Sequence, residues 1–147
     1  MRNERYRQDR EELKELLMQY ENLRTGRPNS YLEQEGFERV IEYYDEKEKF
    51  DESLIACNYA INQYPHDASL LLLKANLLIV TKKYAEALDL LHTAEELDSA
   101  DTDLYMLKTD AYLALDMQAK AAEVLEIAIE NFEGDEKIDL LFELCDV

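Results

Sequence analysis

The chain has 147 residues and a net charge of −18; 47% of it is hydrophobic, and it contains only three glycines and two prolines. That length suffices for one continuous core. The charge excludes partners held through phosphates, because nucleic acid and anionic membrane surfaces are both repelled, whereas a basic protein or peptide is attracted.

The acidic excess is unevenly spread. Residues 1–24 hold six basic and six acidic side chains, so all of the −18 lies beyond them. Met1-Arg2-Asn3-Glu4-Arg5 opens the chain with charge and no apolar leader segment. The most apolar run, Leu70 to Val80, is too short to cross a bilayer and is interrupted by Lys74 and Asn76. Cys57 and Cys145 have no CxxC spacing, which points to reduced thiols in a cytoplasmic chain rather than to a disulfide framework.

In chain order, a first helix is predicted over Asn3 to Arg24. Leu13, Leu16, Leu17, Tyr20 and Leu23 share one stripe, and the other face is charged. Thr25-Gly26-Arg27-Pro28-Asn29 breaks it, and Ser30 with Glu33 forms a capping-box pair that restarts a helix. From there a period appears. Ala60, Ala94 and Ala128 stand 34 residues apart. Ser53, Ala87 and Ala121 keep the same interval, as do Cys57, Leu91 and Leu125, and also Tyr44, Leu78 and Tyr112. Phe37, Leu71 and Tyr105 follow it too, and so do Phe50, Tyr84 and Gln118. A fixed interval carrying two amphipathic segments marks stacked helical hairpins, each of which must bury its apolar face on its neighbours. Small residues recur where two helix axes approach closely.

Short bends are expected near Glu46–Lys49, Thr81–Lys83 and Asp116–Gln118. Asp67, Asp101 and Asp135 fall at or just before the next helix starts, where a carboxylate accepts orphan backbone N–H bonds. A last helix is expected from Lys137 to Val147. Its Ile138, Leu140, Leu141, Phe142, Leu144 and Val147 are apolar almost all round, so self-association through residues 138–147 is expected.

No catalytic, metal or cofactor set is legible. His66 and His92 lie on different units without ligand partners at helical spacing. The carboxylates Glu42, Asp45, Glu46 and Glu48 lack a turn glycine and alternating loop ligands, and read as a solvated face. There is no phosphate loop and no serine elbow. Tyr44, Tyr59, Tyr84 and Tyr112 fall on repeat contact positions and read as packing residues.

The pattern resembles the tetratricopeptide repeat. Phe37, Tyr44, Phe50, Ser53, Ala60 and Pro65 carry the likeness in the first copy, with Ile41 departing from the small residue usual there. Leu71, Ala75, Leu78, Tyr84, Ala87 and Ala94 carry it in the second, with Ser99 in place of proline. Tyr105, Thr109, Tyr112, Ala121 and Ala128 carry it in the third, with Gln118 and Glu133 departing. The resemblance implies an all-α, right-handed solenoid: residues 1–29 as N-terminal helix and break, three repeats over 30–67, 68–101 and 102–135, and 136–147 as the first helix of a further repeat or a capping helix, all in one continuous domain. The chain looks like the N-terminal part of a longer bacterial repeat protein.

It also implies a groove lined by the first helix of each repeat. The lining positions are Glu35, Glu38, Glu42 and Asp45, then Ser69, Leu72, Asn76 and Ile79, then Asp103, Met106, Asp110 and Leu113. One wall is acidic and the middle is apolar with a single amide. Relatives that clamp chaperone C-termini use a basic and asparagine set, and Glu38, Glu42, Leu73, Asp103 and Leu107 stand at those places here. A carboxylate-ended ligand is therefore disfavoured. The expected function is a non-catalytic scaffold binding a basic or amphipathic segment. The alternative is a small acidic chaperone of the type III secretion class, which shares the three repeats and N-terminal helix.

Overall fold

The computed structural model describes residues 2–147. Among them are eight helices: α1 (Arg2–Arg24), α2 (Gln34–Glu46), α3 (Phe50–Gln63), α4 (Ala68–Val80), α5 (Tyr84–Leu97), α6 (Thr102–Ala114), α7 (Gln118–Asn131) and α8 (Gly134–Asp146). They group into two compact units, one ending at Pro65 and the other beginning at His66.

In the first unit, α2 and α3 form a hairpin and α1 packs on it. The α1 stripe faces inward as its spacing requires: Tyr20 is fully buried, and Leu13, Leu16, Leu17 and Leu23 are half-buried. Tyr20 meets Tyr44 of α2 and Tyr59 of α3 edge-on, with ring centres 6.2 and 6.1 Å away. Arg24 pairs with Glu52 at 2.7 Å, tying the end of α1 to α3. Gly36 is buried against α1, and a Cβ there would lie 2.3 Å from Leu32 Cδ2 and 3.1 Å from Leu16 Cδ2, so glycine is what permits this approach.

The second unit contains two hairpins, α4–α5 and α6–α7, stacked through α4 and α5 on α6, with α8 against α6 and α7.

The recurring small residues are the helix contacts. Ser53, Ala87, Ala121, Ala60 and Ala128 are fully buried and Ala94 nearly so, with Cys57, Leu91 and Leu125 fully buried between them. Ile41, the bulky departure, is also buried, and Ser53 Oγ donates to its carbonyl at 2.9 Å across the α2–α3 crossing.

The bends repeat as closely as the seams. Glu48, Lys82 and Asp116 are left-handed, with φ of 57°, 64° and 61°. At each bend the left-handed residue's N–H bonds the carbonyl three residues back, and the next N–H bonds the carbonyl five back, for example Lys82 to Ile79 at 3.0 Å and Lys83 to Leu78 at 2.7 Å. This is a Schellman closure, which satisfies orphan carbonyls at each helix end. The same closure ends α1 at Gly26, where φ is 76°.

Three local expectations are corrected. The Ser30–Glu33 capping box does not form: Ser30 Oγ donates to the Arg27 carbonyl, and Glu33 is the N-cap of α2 without a side-chain cap. The aspartate caps hold for Asp67, which accepts from the N–H groups of Ser69 and Leu70, and for Asp101, which accepts from Asp103 N–H. Asp135 instead lies inside the first turn of α8, whose N-cap is Glu133. The cause is a shorter connection. Only Phe132 and Glu133 separate α7 from α8, so α8 starts at Gly134 rather than at 136 or 137. Phe132 is buried edge-on against Tyr105, ring centres 5.6 Å apart, which pulls the chain in early.

Candidate functional site

The twelve sequence-expected positions fall on α2, α4 and α6, at the i, i+3, i+7, i+10 spacing that puts four residues on one helix face.

In the first unit, Glu35 and Glu42 are exposed, and Glu38 and Asp45 are half-buried. Gln34 Nε2 donates to Glu38 Oε1 at 2.6 Å, holding that carboxylate in place. α1 meets α2 at other positions: Gly36, Tyr44 and Arg39, whose guanidinium pairs with Glu12 at 3.5 Å. A cleft of about 440 Å³ follows this junction, lined by Leu16, Gln19, Tyr31, Glu33, Glu35, Gly36 and Arg39. Of the expected residues only Glu35 reaches it.

In the second unit, α4 and α6 pack side by side and bring eight expected residues onto neighbouring faces. Leu72 is nearly covered, Ile79 and Met106 are half-buried, and Leu113 is exposed. Ser69, Asn76, Asp103 and Asp110 are exposed. Ser69 Oγ donates to Asp67 Oδ1 at 2.5 Å as part of the α4 cap, so it serves the helix start. Asp110 reaches solvent, yet its neighbours hold part of it from water, and this desolvation pushes its carboxyl above the usual carboxylate range. The surface is thus an apolar strip of Leu72, Ile79 and Met106 with carboxylates beside it.

Sequence reasoning missed a cleft of about 730 Å³ elsewhere in this unit, lined by Glu95, Ser99, Ala100, Tyr105, Ile127, Asn131, Phe132, Glu133 and Glu136. Its floor is the Tyr105–Phe132 pair, and Tyr105 donates to the Ser99 carbonyl at 2.8 Å. Lys108, buried beside it, is paired with Glu95. The missing signal is the shortened α7–α8 connection, because a strict period places Phe132 in an ordinary loop.

His66 and His92 are exposed, and Tyr44, Tyr59, Tyr84 and Tyr112 are half-buried on their helices. Among the described residues, no group of three or more His, Cys, Asp or Glu is placed to hold a metal ion, and no helix is long and apolar enough to cross a membrane.

Comparison with known proteins agrees with this architecture. No protein-family model matches the chain. No curated protein is significantly similar to it in sequence. Solved structures do match. The first TPR of Spaghetti (RPAP3) bound to the HSP90 peptide SRMEEVD is 20% identical, covering 77% of this chain and 90% of that one with a TM-score of 0.65. The TPR2B domain of yeast Sti1, in its pHsp70 complex, is 23% identical, with coverage of 77% and 96% and a TM-score of 0.65. The Arabidopsis OM64 TPR domain is 13% identical, with coverage of 76% and 93% and a TM-score of 0.64. The fold is all-α and of the tetratricopeptide type.

Proposed function

We propose that this chain is a non-catalytic interaction scaffold that binds a basic or amphipathic segment of a partner protein on the exposed face of α4 and α6. The observation that carries this reading is the α4–α6 face, where Leu72, Ile79 and Met106 lie beside Asp103 and Asp110. Apolar anchors beside exposed carboxylates suit a ligand that brings an apolar side chain and a cation together. The row Glu35, Glu38, Glu42 and Asp45 on α2 adds negative charge that would draw in the same kind of ligand. The net charge of −18 acts in the same direction at long range.

Two of the similar solved domains are complexes, one of them with the peptide SRMEEVD, which has three acidic residues and one basic. That ligand class does not suit this chain, where Glu38, Glu42 and Asp103 stand at places the resemblance assigns to the carboxylate-holding set. The fold is shared and the ligand charge is inverted.

Fluorescence anisotropy with two labelled peptides tests this reading. A helical peptide of leucines and lysines should bind, and its affinity should fall as salt is added. SRMEEVD should bind far more weakly under the same conditions. A preference for the acidic peptide would overturn the reading.

A further inference from the structure

The face of α8 turned away from the second unit is apolar. Leu140 is buried inward, whereas Ile138, Leu141 and Phe142 are 49%, 41% and 68% exposed, and Cys145 is exposed with them. These four lie at i, i+3, i+4 and i+7, the spacing of a single helical stripe. Asp135, Asp139 and Asp146 run along one side of it. The helix holds five carboxylates and one lysine, so two copies of this face repel each other. An occupant must bring an apolar strip bordered by cations.

The chain itself carries such a surface. The segment of α1 from Arg2 to Glu12 is exposed on every side, unlike the packed turns that follow. Along one side of α1, Tyr6, Arg10, Leu13, Lys14 and Leu17 fall at i, i+4, i+7, i+8 and i+11, with Arg7 beside them. Tyr6 is 65% exposed, and the Arg10 guanidinium lies 5.9 Å from its ring centre. Leu13 and Leu17 belong to the half-buried stripe of α1, and only their outer edges are accessible on this side. The Glu12 carboxylate is turned elsewhere, toward Arg39, which also donates to the Asp9 backbone carbonyl. This side is basic and partly apolar where the α8 face is acidic and apolar.

We propose that α8 of one copy docks on the exposed side of α1 of a second copy, with Phe142 and Ile138 against Tyr6 and the accessible edges of Leu13 and Leu17, and Asp135, Asp139 and Asp146 opposite Arg7, Arg10 and Lys14. The contact is heterologous: each copy uses one surface to give and a different one to receive. It closes into a ring or extends as a chain of copies.

Sedimentation of the intact protein over a concentration series tests it. The protein should self-associate, and added salt should weaken the association, because opposite charges meet. An α8–α8 contact would instead strengthen with salt. Phe142→Asp should raise the dissociation constant at least roughly tenfold, as expected for loss of an aromatic anchor. The double variant Arg7→Glu, Arg10→Glu should do the same. All three positions are exposed, so both proteins should keep the wild-type helical circular dichroism. Mixing the two variants decides the matter. One lacks only the α8 surface and the other only the α1 surface, so the mixture should form a one-to-one pair that neither forms alone. A wild type that stays monomeric throughout, an association strengthened by salt, or a mixture that does not pair would each overturn the proposal.

Discussion

The Tyr20 ring stands edge-on to the Tyr59 ring, with centres 6.1 Å apart and planes at 84°. This contact joins α1 to α3 and, with Tyr44, makes Tyr20 the plug of the first unit. Its hydroxyl is buried and makes no hydrogen bond within the described residues. Desolvation there pushes the phenol well above the usual tyrosine range, so it stays protonated at any working pH.

Tyr20→Phe should therefore cost less than about 1 kcal/mol, or stabilise, because it removes a polar atom with no protein partner. Tyr20→Ala should cost about 3–5 kcal/mol, as for other buried aromatics. Urea unfolding of both variants, compared through their midpoints, separates ring from hydroxyl. A Tyr20→Phe loss as large as the alanine loss would show that the hydroxyl holds the unit.

Ala94→Leu should destabilise the second unit by about 1–3 kcal/mol, because Ala94 is almost fully buried at a close crossing and overpacking forces the backbone to shift. His92→Ala, two residues earlier and exposed, should be nearly neutral. Equal urea midpoints for the two variants would mean that the recurring alanines are not contacts.

Much of this was legible in the sequence because the period recorded it. Ser53, Ala87 and Ala121 repeat because each must fit between two helices, and all three are fully buried. Features that leave no periodic trace stayed hidden. The left-handed bends at Glu48, Lys82 and Asp116 share no residue type, so their common geometry shows only in the backbone. Gly36 departs from the period where Leu32, just before α2, and then Leu16 of α1 close over it, and the α1 contact lies outside any repeat. The face of α4 and α6 was legible as a helix face, but the upward shift of the Asp110 carboxyl depends on neighbours that spacing alone does not reveal.

The bends give a third prediction. Lys82→Gly should stabilise the fold by up to about 1 kcal/mol. A left-handed non-glycine residue costs about 1–2 kcal/mol, and the greater freedom of glycine in the unfolded chain offsets part of the gain. Thermal unfolding with an unchanged circular dichroism spectrum checks this. A lower melting temperature would show that the Lys82 side chain contributes something the bend geometry does not require.

Asp110 gives a fourth. Its folded carboxyl titrates above its unfolded value, so the folded state binds that proton more tightly. The group therefore favours folding at low pH, and its contribution is lost as pH rises through the folded value. Asp110→Asn should raise the melting temperature at neutral pH and give no gain in acid. Asp110 should also make capture of a basic peptide strengthen as pH rises through that titration, and the asparagine variant should lack this step. A pH-independent difference in melting temperature between the two proteins would contradict the assigned cause.

The most direct test of the binding account is the kinetics of a basic amphipathic peptide on three variants, followed by stopped-flow fluorescence at several salt concentrations. Glu38→Lys with Glu42→Lys should slow association and flatten its salt dependence, because charge acts mainly on encounter. Met106→Asp should speed dissociation with less effect on association, because the apolar anchor sets the lifetime. Leu16→Ala, which loosens α1 against α2 while keeping Tyr20, should not raise the affinity, because α1 meets α2 through Gly36, Arg39 and Tyr44 rather than through Glu38, Glu42 or Asp45. A peptide that binds all three variants with wild-type rates would place its site elsewhere and contradict the account.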